Sequence, residues 1–161
     1  MIAFKDYVKT FKKKYVALHF TKDSEENLRS FAQDNGFDIT QKFSGEKITS
    51  GKFKFHTTVF YTTSVHDTQN GKYDLPGIKL ALFNFKLLGP NQNIPVLLVN
   101  PKPLLDIRKK FEEMGYEDEW PAYQPHVTLS YNYDGTPDLK TLRIPDFAVE
   151  TSHIIIEDQN D

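Results

Sequence analysis

The strongest constraint on how this 161-residue chain can fold is a repetition. The stretch FHTTVFYTT (55–63) sets His56 and Thr58 at the head of a run of β-branched and aromatic residues, and PHVTLSYNY (125–133) does the same with His126 and Thr128. Each run closes a similar set of elements. A strand YVALHF (15–20), a helix over 24–35 and the strand 55–63 correspond to a strand PVLLVN (95–100), a helix over 102–115 and the strand 125–133. A duplicated strand–helix–strand unit of this length is not a short-period solenoid repeat. It predicts an α+β fold of two pseudo-symmetric lobes, each a small, mostly antiparallel sheet with a helix on its outer face. Lobe one covers about 15–75 and lobe two about 77–157, within a single domain spanning 1–161.

Local signals fill in the rest. Phe4, Tyr7, Val8 and Phe11 recur at helical spacing and predict a short N-terminal helix. Asp23 and Glu26 have the spacing of a capping box, and the helix they open stops near Asn35-Gly36. Residues 66–77, bracketed by Asn-Gly and Pro-Gly, read as a loop, and 78–88 as one long strand. Pro101 and Pro103 open the second helix, which ends at Gly115. The tail AVETSHIIIED is a final strand.

In a strand, residues i and i+2 share a face, so His56 lies beside Thr58 and His126 beside Thr128. Two lobes packed about a pseudo-twofold axis would bring both imidazoles and both hydroxyls into one groove. Phosphodiester cleavage needs those groups: a base for the attacking oxygen, an acid for the leaving oxygen, and donors to the non-bridging oxygens. A single strand histidine is more often a satisfied packing residue, and threonine a good strand former. Two copies at corresponding places of a repeated unit favour the catalytic reading. No third histidine or carboxylate accompanies the pair as a metal would require. His66-Asp67 reads as loop surface, and His19 and His153 as structural.

Composition narrows the partners. With no cysteine, a disulfide framework and a Cys-rich zinc site are both excluded. A formal net charge of −2 disfavours a binder of long nucleic acid, which needs a basic stripe, and the basic run FKKK (11–14) reads as a solvated end. No apolar run approaches the roughly 20 residues of a membrane span, and the N-terminus has no secretory pattern. A cytoplasmic monomer without membrane or obligatory protein partner is expected.

The motifs HTTVFYT and HVTLSY resemble the paired His-x-Ser/Thr signatures of the two-histidine phosphoesterase superfamily. Together with KKYVALHFT, YEDEWPAYQPHVTLSYNYDG and the acidic tail IIIED, they resemble most closely the phage anti-CBASS phosphodiesterases, which destroy the cyclic di- and trinucleotide signals of bacterial antiviral defence. The resemblance implies metal-independent, cofactor-free cleavage of 3′,5′-linkages in cyclic oligonucleotides inside a host bacterium. It makes His56, Thr58, His126 and Thr128 catalytic. It places Tyr15 against a nucleobase, Phe85 where relatives carry a stacking Trp, and Glu157 near the ligand base. Trp120 and Tyr123, beside the second motif, read as core anchors. Processing of linear RNA ends bearing 2′,3′-cyclic phosphates, and binding of cyclic nucleotides without turnover, remain open as alternatives.

Overall fold

The computed structural model describes residues 12–118 and 122–159, with the side-chain surroundings of all of these except 63–65. The N-terminal helix expected over 4–11 and Trp120 lie outside the described residues. The chain order is β1 (Lys12–Phe20), α1 (Lys22–Asp34), β2 (His56–His66), β3 (Gly71–Asp74), β4 (Lys79–Leu80), β5 (Leu82–Leu88), β6 (Ile94–Val99), α2 (Lys102–Glu113), β7 (His126–Thr128) and β8 (Val149–Asp158).

Two antiparallel sheets form the α+β architecture. The first runs β2-β1-β8-β3, with β4 added to β8, and the second runs β5-β6-β7. Strand, helix and strand recur as β1–α1–β2 and β6–α2–β7, in each of which the strands pair antiparallel. One apolar cluster runs through both units. It includes Val16 and Leu18 of β1, Leu28 of α1, Val59 of β2, Leu97 of β6, Leu104 of α2 and Val127 of β7, so the lobes share a core.

Several elements differ from the sequence expectation for identifiable reasons. Helix α1 is capped by Thr21, whose hydroxyl accepts from the Ser24 N–H at 3.3 Å, so the helix begins earlier than the Asp23–Glu26 pair suggested. The loop expected over 66–77 contains β3, an exposed edge strand recruited by pairing to β8 rather than by an apolar pattern of its own. The long strand over 78–88 is two strands in two sheets: β4 pairs with β8, β5 with β6, and the Ala81 carbonyl between them accepts from Asn100 N–H. The second His-x-Thr strand is only three residues long. The final strand lies between β1 and β3, so the first sheet draws on both ends of the chain. Helix α2 ends as expected, with Gly115 at φ 92°, a left-handed conformation that glycine adopts without strain.

Candidate active site

On β1, Val16, Leu18 and Phe20 point into the core, which leaves Tyr15, Ala17 and His19 on the opposite face. The register aligns Ala17 with Thr58 and His19 with His56 on β2, and Tyr15 with Glu157 and His19 with His153 on β8. A bulge in β2 follows Thr58, where Val16 pairs with Phe60 and Ala17 with Thr58. The extra residue lets Val59 and Phe60 both stay buried while His56 and Thr58 face the groove. In the second unit, Val96, Leu97 and Leu98 pair with Thr128, Val127 and His126. Val127 is fully buried, so His126 and Thr128 turn the other way. Strands β2 and β7 are in contact, which brings the two His-x-Thr motifs together across the lobes.

Both catalytic candidates are held by the same device. His56 Nδ1 lies 3.2 Å from the Lys54 carbonyl, and His126 Nδ1 lies 2.9 Å from the Gln124 carbonyl, each two residues back. A carbonyl only accepts, so each Nδ1 carries the proton and each neutral ring offers Nε2 as the basic nitrogen. His56 Nε2 meets the Tyr15 hydroxyl at 3.0 Å, and that hydroxyl meets Thr58 Oγ1 at 3.0 Å. With His56 neutral, the chain of donors must run from Thr58 through Tyr15 to Nε2. Around the second motif, the Thr128 side chain is near the Tyr131 hydroxyl and opposes the rise that burial gives its pKa.

The electrostatics favour neutral imidazoles. Burial lowers the pKa of His56, and the nearby His126 lowers it further, against the opposing pull of its Lys54 hydrogen bond and of Glu157. Burial lowers His126 too, with Lys86 adding to the effect. Burial also pushes the Tyr15 phenol up to about 12, so it remains a protonated donor. The donors surrounding the pair are hydroxyls and phenols, with Glu157 at the edge. Among the described residues no three His, Asp or Glu side chains are grouped to hold a metal ion.

Behind the site, Tyr123 donates to the Thr58 carbonyl at 2.9 Å. Its ring is also one side of a clamp on Arg108 of α2, whose guanidinium lies 3.8 Å from the Tyr123 ring centre and 4.0 Å from that of Phe60. Arg108 donates to the Val59 carbonyl and pairs with Asp118 at 2.8 Å, while Asp118 accepts from Tyr61 N–H. The helix of the second unit is thereby fastened to the strand that carries His56. A cleft of about 600 Å³ adjoins this clamp, but none of the four His-x-Thr residues lines it.

The other sequence candidates divide. Tyr15 is within the site, and Glu157 stands beside it in register, close enough to influence both Tyr15 and His56. Phe85 is not brought there. It shares a cross-strand row with the buried Leu97 and Val127, and its ring stacks on Phe31 of α1 at 6.1 Å. Three groove residues were not foreseen. Tyr131 follows Thr128 by three positions, and its ring touches the exposed Phe43. His19 and His153, expected to be structural, lie in line with His56. The period of two that puts His19 on the face of Tyr15 was available in YVALHF, but the pairing partner across the sheet was not.

A two-lobed α+β protein whose duplicated strands present paired His-x-Thr motifs in a common groove is the class that this fold and site define. Residues 12–161 match the family described as anti-CBASS protein Acb1, and the chain belongs to that family. No curated protein matches the chain. Its role is accordingly to counter CBASS defence. No described helix is long and apolar enough to cross a membrane.

Proposed function

We propose that the protein counters CBASS as a metal-independent phosphodiesterase that opens 3′,5′-linkages in cyclic di- or trinucleotide signals. The observation that carries this reading is the shared lock on the two histidines: each Nδ1 is committed to a carbonyl two residues back, leaving each Nε2 for proton transfer. The ribose 2′-OH next to the scissile phosphate is the nucleophile. One imidazole takes its proton through Nε2, the oxygen attacks phosphorus, and the other imidazole, protonated, gives its proton to the departing 5′-oxygen. The product is a 2′,3′-cyclic phosphate, which water opens with the two roles exchanged. As substrate enters, Tyr15 turns its proton from His56 Nε2 to Thr58 Oγ1, which frees that nitrogen to act and the Thr58 proton to donate to a non-bridging oxygen; Thr128 donates likewise beside Tyr131. Glu157, at the rim beside Tyr15, is placed to meet a base of the bound ring.

The reaction acts in the cytoplasm of the infected bacterium, on a phage's behalf. The test is incubation of the purified protein with a panel of cyclic and linear oligonucleotides, with and without excess chelator, and identification of products by mass. Opening of cyclic di- or trinucleotides, undiminished by chelator, is expected. Turnover lost in chelator and restored by one added metal would end the metal-free reading, and cleavage confined to linear RNA ends would end the cyclic one.

A further inference from the structure

The groove face of the first sheet carries a row of imidazoles that the reaction above does not use. His56, His19 and His153 stand on three adjacent strands at matching register positions. The rings of His19 and His56 are stacked with centres 5.7 Å apart and 24° between planes, and those of His19 and His153 with centres 5.2 Å apart and 5° between planes. We propose that His19 and His153 form a subsite for a second, uncut phosphodiester of the substrate, so that one continuous row grips two phosphates of the same ring. This inference rests on the phosphodiesterase reading above.

The fold does not require this row. At the position where the first unit sets His19 against His56, the second unit sets Leu98 against His126. An apolar residue serves the duplicated architecture equally well, so the imidazole is a departure that calls for its own reason. His19 has no hydrogen-bond partner among the described residues, although it is half buried. His153 uses Nδ1 on Ser152 Oγ at 2.9 Å and keeps its other nitrogen. Half-buried imidazole edges without partners suit a ligand that brings acceptors.

Charge around the row is mixed: Lys54, just before β2, acts on His19 and Lys72 of β3 on His153, while Asp74, the register partner of His153, and Glu25, 4.0 Å from Lys54, oppose them. Burial first, then His56 and His153, pull His19 down to about 4, so its ring is neutral near pH 7. A phosphate reverses this balance: its charge favours the imidazolium, and both rings become charged donors to its oxygens. Ring binding should therefore take up a proton. The row is not grouped to hold a metal ion: among the described residues no three His, Asp or Glu side chains are.

The experiment compares a cyclic dinucleotide, with two phosphates, with a 2′,3′-cyclic mononucleotide, which has one, in the wild type and in His19→Gln and His153→Gln. KM for the dinucleotide should rise about tenfold or more in each variant, the scale of one charged hydrogen bond, with kcat and the mononucleotide parameters little changed. Equal losses on both substrates, or none, would overturn the subsite. A second arm does not depend on turnover: the histidine ring protons are titrated by NMR with and without the 2′-deoxy cyclic dinucleotide. The pKa of His19 should rise by more than one unit on binding, with matching proton uptake by calorimetry in buffers of different ionisation enthalpy. A ring that fails to bind, or binds with His19 and His153 unmoved, overturns the proposal. A wild type that binds with these shifts but cuts nothing would sink the catalytic reading and leave the subsite standing.

Discussion

The Tyr15 hydroxyl lies 3.0 Å from His56 Nε2, the nitrogen that moves a proton in the proposed reaction. The same oxygen is 3.0 Å from Thr58 Oγ1, so one phenol fixes both members of the first His-x-Thr motif. Its hydroxyl and its ring therefore have separable duties. Tyr15→Phe keeps the ring and removes the link, and kcat should fall about tenfold, the value of one well-placed hydrogen bond, with KM nearly unchanged. Tyr15→Ala should also raise KM, because a face for base stacking is lost. A Phe variant with wild-type kcat would remove the hydroxyl from the mechanism.

His56→Ala and His126→Ala should each lower kcat by at least ~100-fold, the usual scale for an acid–base group. Both variants should keep their fold, since neither imidazole belongs to the apolar core. Thr58→Val and Thr128→Val should cost roughly 2–4 kcal/mol of transition-state stabilisation. Steady-state kinetics with circular dichroism on each variant checks both halves of the statement. Near-normal turnover in either His variant would exclude that residue from proton transfer.

The pH profile follows from the direction of the shifts. Burial lowers the pKa of both His56 and His126. The base must be neutral, so rate is lost as pH falls through its lowered pKa. The acid must be charged, so rate is lost as pH rises through its own lowered pKa. Both limbs of kcat/KM, which reports the free enzyme, therefore lie on the acid side of the ordinary imidazole value of about 6.5. A bell with its maximum below that value is expected. The kcat profile should be displaced upward, because a bound phosphate favours the imidazolium. A rate rising monotonically from about pH 4 to 10 would contradict the assignment.

Arg108 supplies a stability prediction. It is almost fully buried, sandwiched between Phe60 and Tyr123 and paired with Asp118. Arg108→Ala strands the carboxylate and empties the sandwich, so denaturant unfolding should show a loss of about 3–5 kcal/mol. Turnover under folding conditions should fall as well, because Tyr123 loses a support and the Thr58 carbonyl depends on Tyr123. A loss below about 1 kcal/mol would show that the clamp is not what fastens α2 to β2.

The duplicated unit was legible because β1–α1–β2 and β6–α2–β7 each carry their own periodicity and stop signals. What stayed hidden depends on partners distant in sequence. β3 has an exposed edge pattern and exists through pairing with β8, more than 70 residues away. The break at Ala81 reflects a change of sheet, which no local propensity records. His56, Thr58, His126 and Thr128 could be named because a period of two fixes their faces. His19 has the same period relative to Tyr15, yet its significance comes only from the β1–β2 and β1–β8 registers. Phe85 shows the reverse: aromatic character suggested a stacking platform, and its contact with Phe31, more than 50 positions away, could not be read locally.

Dependence on the ribose 2′-OH is the most discriminating consequence of the site. The groups around the paired histidines are two threonine hydroxyls and two phenols, which donate hydrogen bonds and do not generate hydroxide from water at neutral pH. An attacking oxygen already held beside phosphorus removes that need. Effective molarities for well-oriented intramolecular attack reach on the order of 10⁵ M or more. A cyclic dinucleotide with 2′-deoxy or 2′-O-methyl sugars keeps its bases and both phosphates. It should bind at the affinity of the ribonucleotide and stay intact. A brief time course with the ribonucleotide should reveal a 2′,3′-cyclic phosphate before its hydrolysis product accumulates, by mass or phosphorus NMR. Cleavage of the deoxy analogue at a comparable rate would make water the direct nucleophile. One imidazole would then have to activate that water from a position in line with the leaving 5′-oxygen, and the 2′,3′-cyclic intermediate would be absent at every time point.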